Sequence, residues 1–189
     1  QLDAGDEIIY MVPNYLQIFH LARSLGIIVK TLPLKHELGW QWDPDELKKV
    51  VSSKTKMIVV CNPNNPTGAI MHHEIMDLVI KIAQENDCWI LSDEVYRGAE
   101  LKGEECRSFA FSTEKTIVNA GLSKAYSLPG LRIGWTVGSD TYINRAWSFH
   151  DFTVINVSYL SDWIASKVLE SSRRKKILNR TKDLSLIHI

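Results

Sequence analysis

The run Lys56-Met57-Ile58-Val59-Val60-Cys61 is followed by the loop Asn62-Pro63-Asn64-Asn65-Pro66-Thr67-Gly68. A helix-patterned stretch from His73 to Asn86 and a second apolar run, Cys88-Trp89-Ile90-Leu91-Ser92, come next. Short apolar runs without polar alternation are the pattern of strands buried on both faces, and a helix between two of them is the crossover that joins parallel neighbours. Outward from this unit, Glu7 to Val12 reads as a strand, Tyr15 to Leu25 as a helix closed by Gly26, and Ile27 to Leu32 as another strand. Asp43-Pro44-Asp45-Glu46 combines a capping acid, a proline at the first helical position and a glutamate at the third, so a helix is expected from there to about Val51. Thr116 to Ala120 is one more apolar strand. This alternation predicts an α/β fold whose largely parallel sheet is covered on both faces.

The 189 residues are 45% hydrophobic and 23% charged, with 22 Lys and Arg against 22 Asp and Glu. A formal net charge of zero, with no basic stripe beyond Arg173 to Lys176, argues against nucleic acid as a partner. The longest purely apolar stretch, Met57 to Cys61, is far below the roughly 20 residues of a membrane helix. Cys61, Cys88 and Cys106 have neither even number nor CxxC spacing, which disfavours a disulfide framework or a metal site and suits a reducing, cytoplasmic compartment. At the ends, Gln1 is no initiator and the chain enters a strand almost at once, so an earlier start is expected. Leu184-Ser185-Leu186-Ile187-His188-Ile189 matches the translation of a sequencing-library adapter, so the natural protein is expected to continue differently after Asp183.

In open α/β sheets ligands bind beyond the carboxyl ends of the strands, which directs attention to the loops after Cys61, Ser92 and Ala120. The first, Asn62 to Gly68, is stiffened by prolines and rich in amides that can donate to a ligand, though a plain turn uses the same residues. The second opens with Ser92-Asp93-Glu94-Val95-Tyr96, where Asp93 is either a ligand-facing acid or a cap. The third is Gly121-Leu122-Ser123-Lys124-Ala125-Tyr126-Ser127-Leu128-Pro129-Gly130-Leu131-Arg132-Ile133-Gly134; a lysine after a strand is ordinarily a solvated charge.

Taken together these loops resemble the large domain of fold type I pyridoxal-phosphate enzymes, and more narrowly the class I/II aminotransferases. Lys124 with Arg132 eight positions on, Gly130 and Ile133-Gly134 follow that family's lysine signature, while Asn65-Pro66-Thr67-Gly68 and Asp93 with Tyr96 follow two further cofactor-contact motifs in order. The resemblance covers Asp3 to Asp183, about half of a full-length member. It implies a three-layer αβα large domain over residues 1–170, the start of an interdomain helix over 171–183, and pyridoxal 5'-phosphate held on Lys124 as a Schiff base. Lys124 would also act as general base and acid at the substrate α-carbon. Asp93 would keep the ring nitrogen protonated, Asn65 and Tyr96 would hydrogen-bond the ring hydroxyl oxygen, and Arg132 would grip the phosphate. Tyr15 matches the aromatic stacked on the ring, or is a core aromatic opening a helix. Ser123 would add a phosphate hydroxyl, although many relatives carry their phosphate serine three residues before the lysine, where this chain has Gly121.

The implied activity is transfer of an amino group between an amino acid and a 2-oxo acid, by a homodimer. A β-eliminating lyase or a cyclising synthase would use the same residues, and an aminotransferase-like sensor domain of a transcriptional regulator is the rival from another class. Trp147 to Thr153 faintly resembles a subgroup that includes amino-acid-cyclising enzymes. His72 and His73 lie at a helix start and point apart, so no shared metal is expected. Trp40 and Trp42 read as a loop or a subunit contact, and Arg173-Arg174-Lys175-Lys176 as a solvated helix face.

Overall fold

The computed structural model describes residues 1–187, with side chains through Leu184. The expectation for residues 184–189 therefore falls partly outside the described residues. Six strands form one sheet: β1 (Glu7–Val12), β2 (Ile28–Pro33), β3 (Thr55–Cys61), β4 (Trp89–Asp93), β5 (Thr116–Gly121) and β6 (Gly134–Val137), in the order β2-β1-β3-β4-β5-β6. The first five are parallel, and β6 closes the edge antiparallel to β5. Helices α1 (Gln17–Ser24), α2 (Pro44–Val50), α3 (His73–Glu85), α4 (Asp140–His150), α5 (Tyr159–Val168) and α6 (Ser171–Ile187) complete the chain. The α/β sheet anticipated from sequence is present, with every expected strand within one or two residues of its place.

β1 and β3 bury nearly every side chain on both faces, and β4 buries one face and half-buries the other, which is why these strands do not alternate apolar with polar residues. Ile9, Met11, Ile58, Val60 and Ile90 pack on one side with Leu47 of α2 and with Ile75, Met76, Val79 and Ile82 of α3. Ile8, Tyr10, Met57, Val59 and Ile117 pack on the other with Ala22, Ile18 and Phe19 of α1 and Tyr142 of α4. A third cluster lies beyond the strand ends, where Leu122, Ala125, Tyr126 and Ile133 meet Ala165 and Val168 of α5 and Leu178 of α6. Among the described residues no helix is long and apolar enough to cross a membrane.

Two expectations are corrected. The helix after Val12 starts at Gln17 rather than Tyr15, because Asn14 Oδ1 accepts the Tyr15 N–H at 2.7 Å and holds that residue in the preceding turn. Trp42 is fully buried in this chain's own core, its Nε1–H donating to the Leu32 carbonyl at 2.9 Å, so it is not a subunit contact. Trp40 packs partly buried against the same core, edge-on to His36. Between them, buried Gln41 donates to Ile70 O at 3.0 Å and accepts from His72 N–H at 2.8 Å, tying the loop to the start of α3.

The cap read from Asp43 is made as expected: its Oδ1 accepts from Asp45 N–H at 2.8 Å and Glu46 N–H at 3.3 Å. Asp43→Ala should therefore lower unfolding stability by about 1 kcal/mol in urea titration, with an unchanged m-value; no loss would mean that α2 holds without its cap.

Candidate functional site

Because β1, β3, β4 and β5 run parallel, their carboxyl ends reach one rim of the sheet. Cys61 and Asp93 are register partners, as are Asp93 and Asn119, so the loops after β3, β4 and β5 emerge side by side. They enclose a cleft of about 580 Å³ lined by Tyr15, Asn65, Asp93, Tyr96, Ser123, Lys124 and Arg132 among others. Every site residue expected from sequence borders this one cleft.

The loop after β3 divides labour among its asparagines. Asn62, fully buried, accepts Met71 N–H at 2.9 Å, and Asn64, also buried, donates to Thr67 Oγ1 at 2.9 Å and Pro13 O at 3.2 Å. Those two amides are used to hold the backbone, and Asn65 is the one presented to the cleft. The Asn62-Pro63 and Asn65-Pro66 peptides are both cis.

Asp93 ends β4. Its Oδ1 accepts Val95 N–H at 3.2 Å. Burial raises the carboxyl's pKa above its ordinary value, against the opposing pull of the Val95 N–H and of the Lys124 charge. The same enclosure pushes the Cys61 thiol up to about 12, with the Asp93 charge adding to burial. Cys61 also lines the cleft and was not singled out from sequence; as the last residue of an apolar strand it carries no signal distinguishing it from core.

The lysine loop is anchored by its apolar residues. Leu122 and Ala125 are buried on either side of Ser123 and exposed Lys124. Leu122 N–H donates to Ile133 O at 3.0 Å, and Ala125 N–H donates to Val95 O at 3.2 Å, joining this loop to the one after Asp93. A 3-10 turn over Pro129–Leu131 delivers Arg132 in a left-handed conformation (φ 54°), with its Nη1 donating to Pro129 O at 2.8 Å. Gly121, three residues before the lysine, lies opposite Gly134 in the β5–β6 ladder, where the two strands approach closely. A Cβ there would stand 3.0 Å from Ile133 O and 3.2 Å from Gly134 Cα, both backbone atoms. Of the two readings of Tyr15, core aromatic is excluded: the side chain is 61% exposed and borders the cleft, while its carbonyl accepts from the buried Tyr10 hydroxyl.

This donor set fits pyridoxal phosphate. A largely enclosed carboxylate that accepts one backbone N–H among the described residues is costly when ionised, and a protonated pyridine nitrogen is the cation that would offset that cost. Among the described residues no group of three or more His, Cys, Asp or Glu side chains converges, and His72 and His73 are exposed.

The raised Asp93 pKa has a stability consequence. In the folded protein without cofactor the carboxyl holds its proton to higher pH than in the unfolded chain. Stability is thus fully present below the ordinary value of 3.8 and declines as pH rises through the raised one. In the cofactor-free protein, Asp93→Asn should raise the thermal midpoint relative to the parent more at about pH 7 than at about pH 4; an equal or reversed difference would mean that the carboxylate is not strained by burial.

The family model described as aminotransferase class I and II matches residues 1–184. An aspartate/prephenate aminotransferase of Thermus thermophilus is 29% identical over 98% of this chain and 50% of its own length. Human kynurenine–oxoglutarate transaminase 1 is 30% identical over 95% of this chain and 45% of its own length. A crystal structure of a PLP-dependent aminotransferase from Streptococcus suis superimposes with a TM-score of 0.87 at 35% identity, covering 95% of this chain and 47% of that one. The chain spans about half the length of the curated relatives it matches. Matched by that family model over residues 1–184, the chain belongs to the class I and II aminotransferases.

Proposed function

We propose that this chain is the cofactor-binding part of a pyridoxal-phosphate-dependent aminotransferase that moves an amino group between an amino acid and a 2-oxo acid. One observation carries the reading: the Lys124 amine and the half-buried Asp93 carboxylate border the same cleft, one from the loop after β5 and the other from the end of the adjacent parallel strand β4. When bound, pyridoxal phosphate supplies an aldehyde that an amine can hold covalently and reversibly, and a cationic ring that accepts electrons from a substrate carbanion.

The chain's own residues do the rest. Lys124 would hold the cofactor and, once displaced by the substrate's amine, act as the base that takes the α-proton and the acid that returns it. Asp93, ionised opposite the ring nitrogen, would keep a proton there, since a nearby carboxylate favours the charged form of a base. Asn65 and Tyr96 would donate to the ring hydroxyl oxygen, Tyr15 would cover the ring face, and Arg132 with Ser123 would bind the phosphate. For Arg132 this means exchanging its hydrogen bond to Pro129 O for a dianion, which a planar guanidinium favours.

In this reading residues 1–170 form the cofactor domain and 171–183 begin the interdomain helix. The protein is a homodimer, supported by the exposed large apolar side chains Trp147, Phe149, Phe152, Ile155, Tyr159 and Trp163 on and between α4 and α5. A cytoplasmic location is supported by three buried, unpaired cysteines.

The test uses the protein as its whole gene encodes it. Hydride reduction of the cofactor-loaded form followed by peptide mapping should leave the pyridoxyl label on Lys124, and Lys124→Ala should remove it. Asp93→Ala should keep the label while slowing amino transfer by about a hundredfold or more. A label on another side chain, or equal and mild effects of the two substitutions, would overturn the assignment.

A further inference from the structure

The basic run Arg173-Arg174-Lys175-Lys176 is not uniformly solvated. Arg173, Lys175 and Lys176 are exposed, whereas Arg174 is half-buried and engaged. Its Nη2 donates to both Glu105 carboxylate oxygens, at 2.8 and 2.7 Å, and its Nε donates to the Tyr126 hydroxyl at 3.0 Å. The guanidinium carbon also lies 5.9 Å from the Tyr126 ring centre.

Arg174 belongs to a stripe on α6. Leu178, one turn on, is buried in the cluster with Leu122, Ala125 and Tyr126, close enough to Gly98 that a Cβ there would lie 3.0 Å from it. Thr181, a further turn on, pairs its hydroxyl with that of Ser127 at 2.9 Å. Positions i, i+4 and i+7 thus all face the lysine loop. Tyr126 and Ser127 follow Lys124 by two and three residues, and Ser127 holds a left-handed backbone (φ 54°).

Glu105 carries the same connection toward Asp93. It accepts Arg97 Nη1 at 2.6 Å, and Arg97 Nε donates to Cys106 O at 2.8 Å. Arg97 sits in the turn that follows Asp93, its N–H donating to Glu94 O at 3.0 Å. The two catalytic loops therefore meet twice, directly at Ala125–Val95 and again through Arg97, Glu105, Arg174 and Tyr126.

We propose that Glu105 and Arg174 are positioning residues for Lys124: their charged link pins the lysine loop to the loop after Asp93 and to α6, so that the register of α6 sets where the amine stands relative to the carboxylate. This rests on the roles given above to Lys124 and Asp93. Glu105, Arg174 and Tyr126 do not line the Lys124 cleft, so the link acts on the lysine through Tyr126. A carboxylate shared by two guanidiniums, each about one-third exposed, is a directional tie rather than a loose surface pair.

Tyr126→Phe removes one hydroxyl and keeps the ring in place; Glu105→Gln and Arg174→Gln remove the charged link itself. In the cofactor-loaded protein each should shift the pH midpoint of the bound cofactor's absorbance by about half a unit or more. In the cofactor-free protein each should speed amide hydrogen exchange across residues 121–134 about tenfold. The double substitution at 105 and 174 should do no more than either alone, and Arg174→Lys should not rescue, because an ammonium cannot serve two partners from a fixed plane. Thermal destabilisation with unmoved absorbance midpoint and unmoved exchange would overturn the proposal, leaving the link merely structural. If Glu105→Gln or Arg174→Gln does not fold, Tyr126→Phe decides alone. If the unsubstituted protein takes no cofactor on Lys124, the functional reading falls, while the exchange measurement on the cofactor-free protein still decides the link.

Discussion

The Asp93 carboxylate ends a strand that has neighbours on both sides, and it is mostly removed from water while accepting a single N–H among the described residues. A group so placed resists ionisation unless a cation stands opposite. Much of the surrounding structure can be understood as the means of keeping it there. The parallel register of β3, β4 and β5 brings Asn65 and Lys124 to the same rim, and the hydrogen bond from Ala125 N to Val95 O prevents the two loops from separating. The strand that carries this half-buried acid is held in place by the two apolar layers that enclose the sheet.

In the loop after β3 and around Lys124, the side chains that hold and the side chains that face the cleft are different residues. Asn62 and Asn64 fix the backbone so that Asn65 can be presented; Leu122 and Ala125 are buried so that Lys124 stands out between them. A site built this way loses geometry when a holding residue is changed even though the facing residue is intact, because displacements of about 1 Å are enough to cost orders of magnitude in rate.

Much of this was legible in the sequence. Continuous apolar runs marked the buried parallel strands, the Asp43-Pro44 pair marked the start of α2, and the gapped lysine motif marked the third loop. What was not legible had physical reasons. β6 is four residues long at a sheet edge, with a half-exposed pattern that periodicity cannot separate from loop. Trp42 lies in a loop, where local pattern carries no information about burial; its place in the core is fixed by a partner, Leu32, ten residues away. Tyr15 was ambiguous because exposure at a helix entrance depends on where the helix begins, and that was set by Asn14.

Arg174 shows the limit most clearly. Four consecutive basic residues look alike as a charge run, yet successive positions on a helix point about 100° apart, so a helix that packs along one face must turn one of them inward. Leu178 and Thr181 reveal which: they share the face of Arg174 and both meet the lysine loop. The composition of the run is that of a solvated surface, but its phase relative to the buried leucine makes one member half-buried and engaged. Its charge is then matched by Glu105, which is itself shared with Arg97, so an inward-facing arginine on α6 is tolerated only with the carboxylate that also ties down the loop after Asp93.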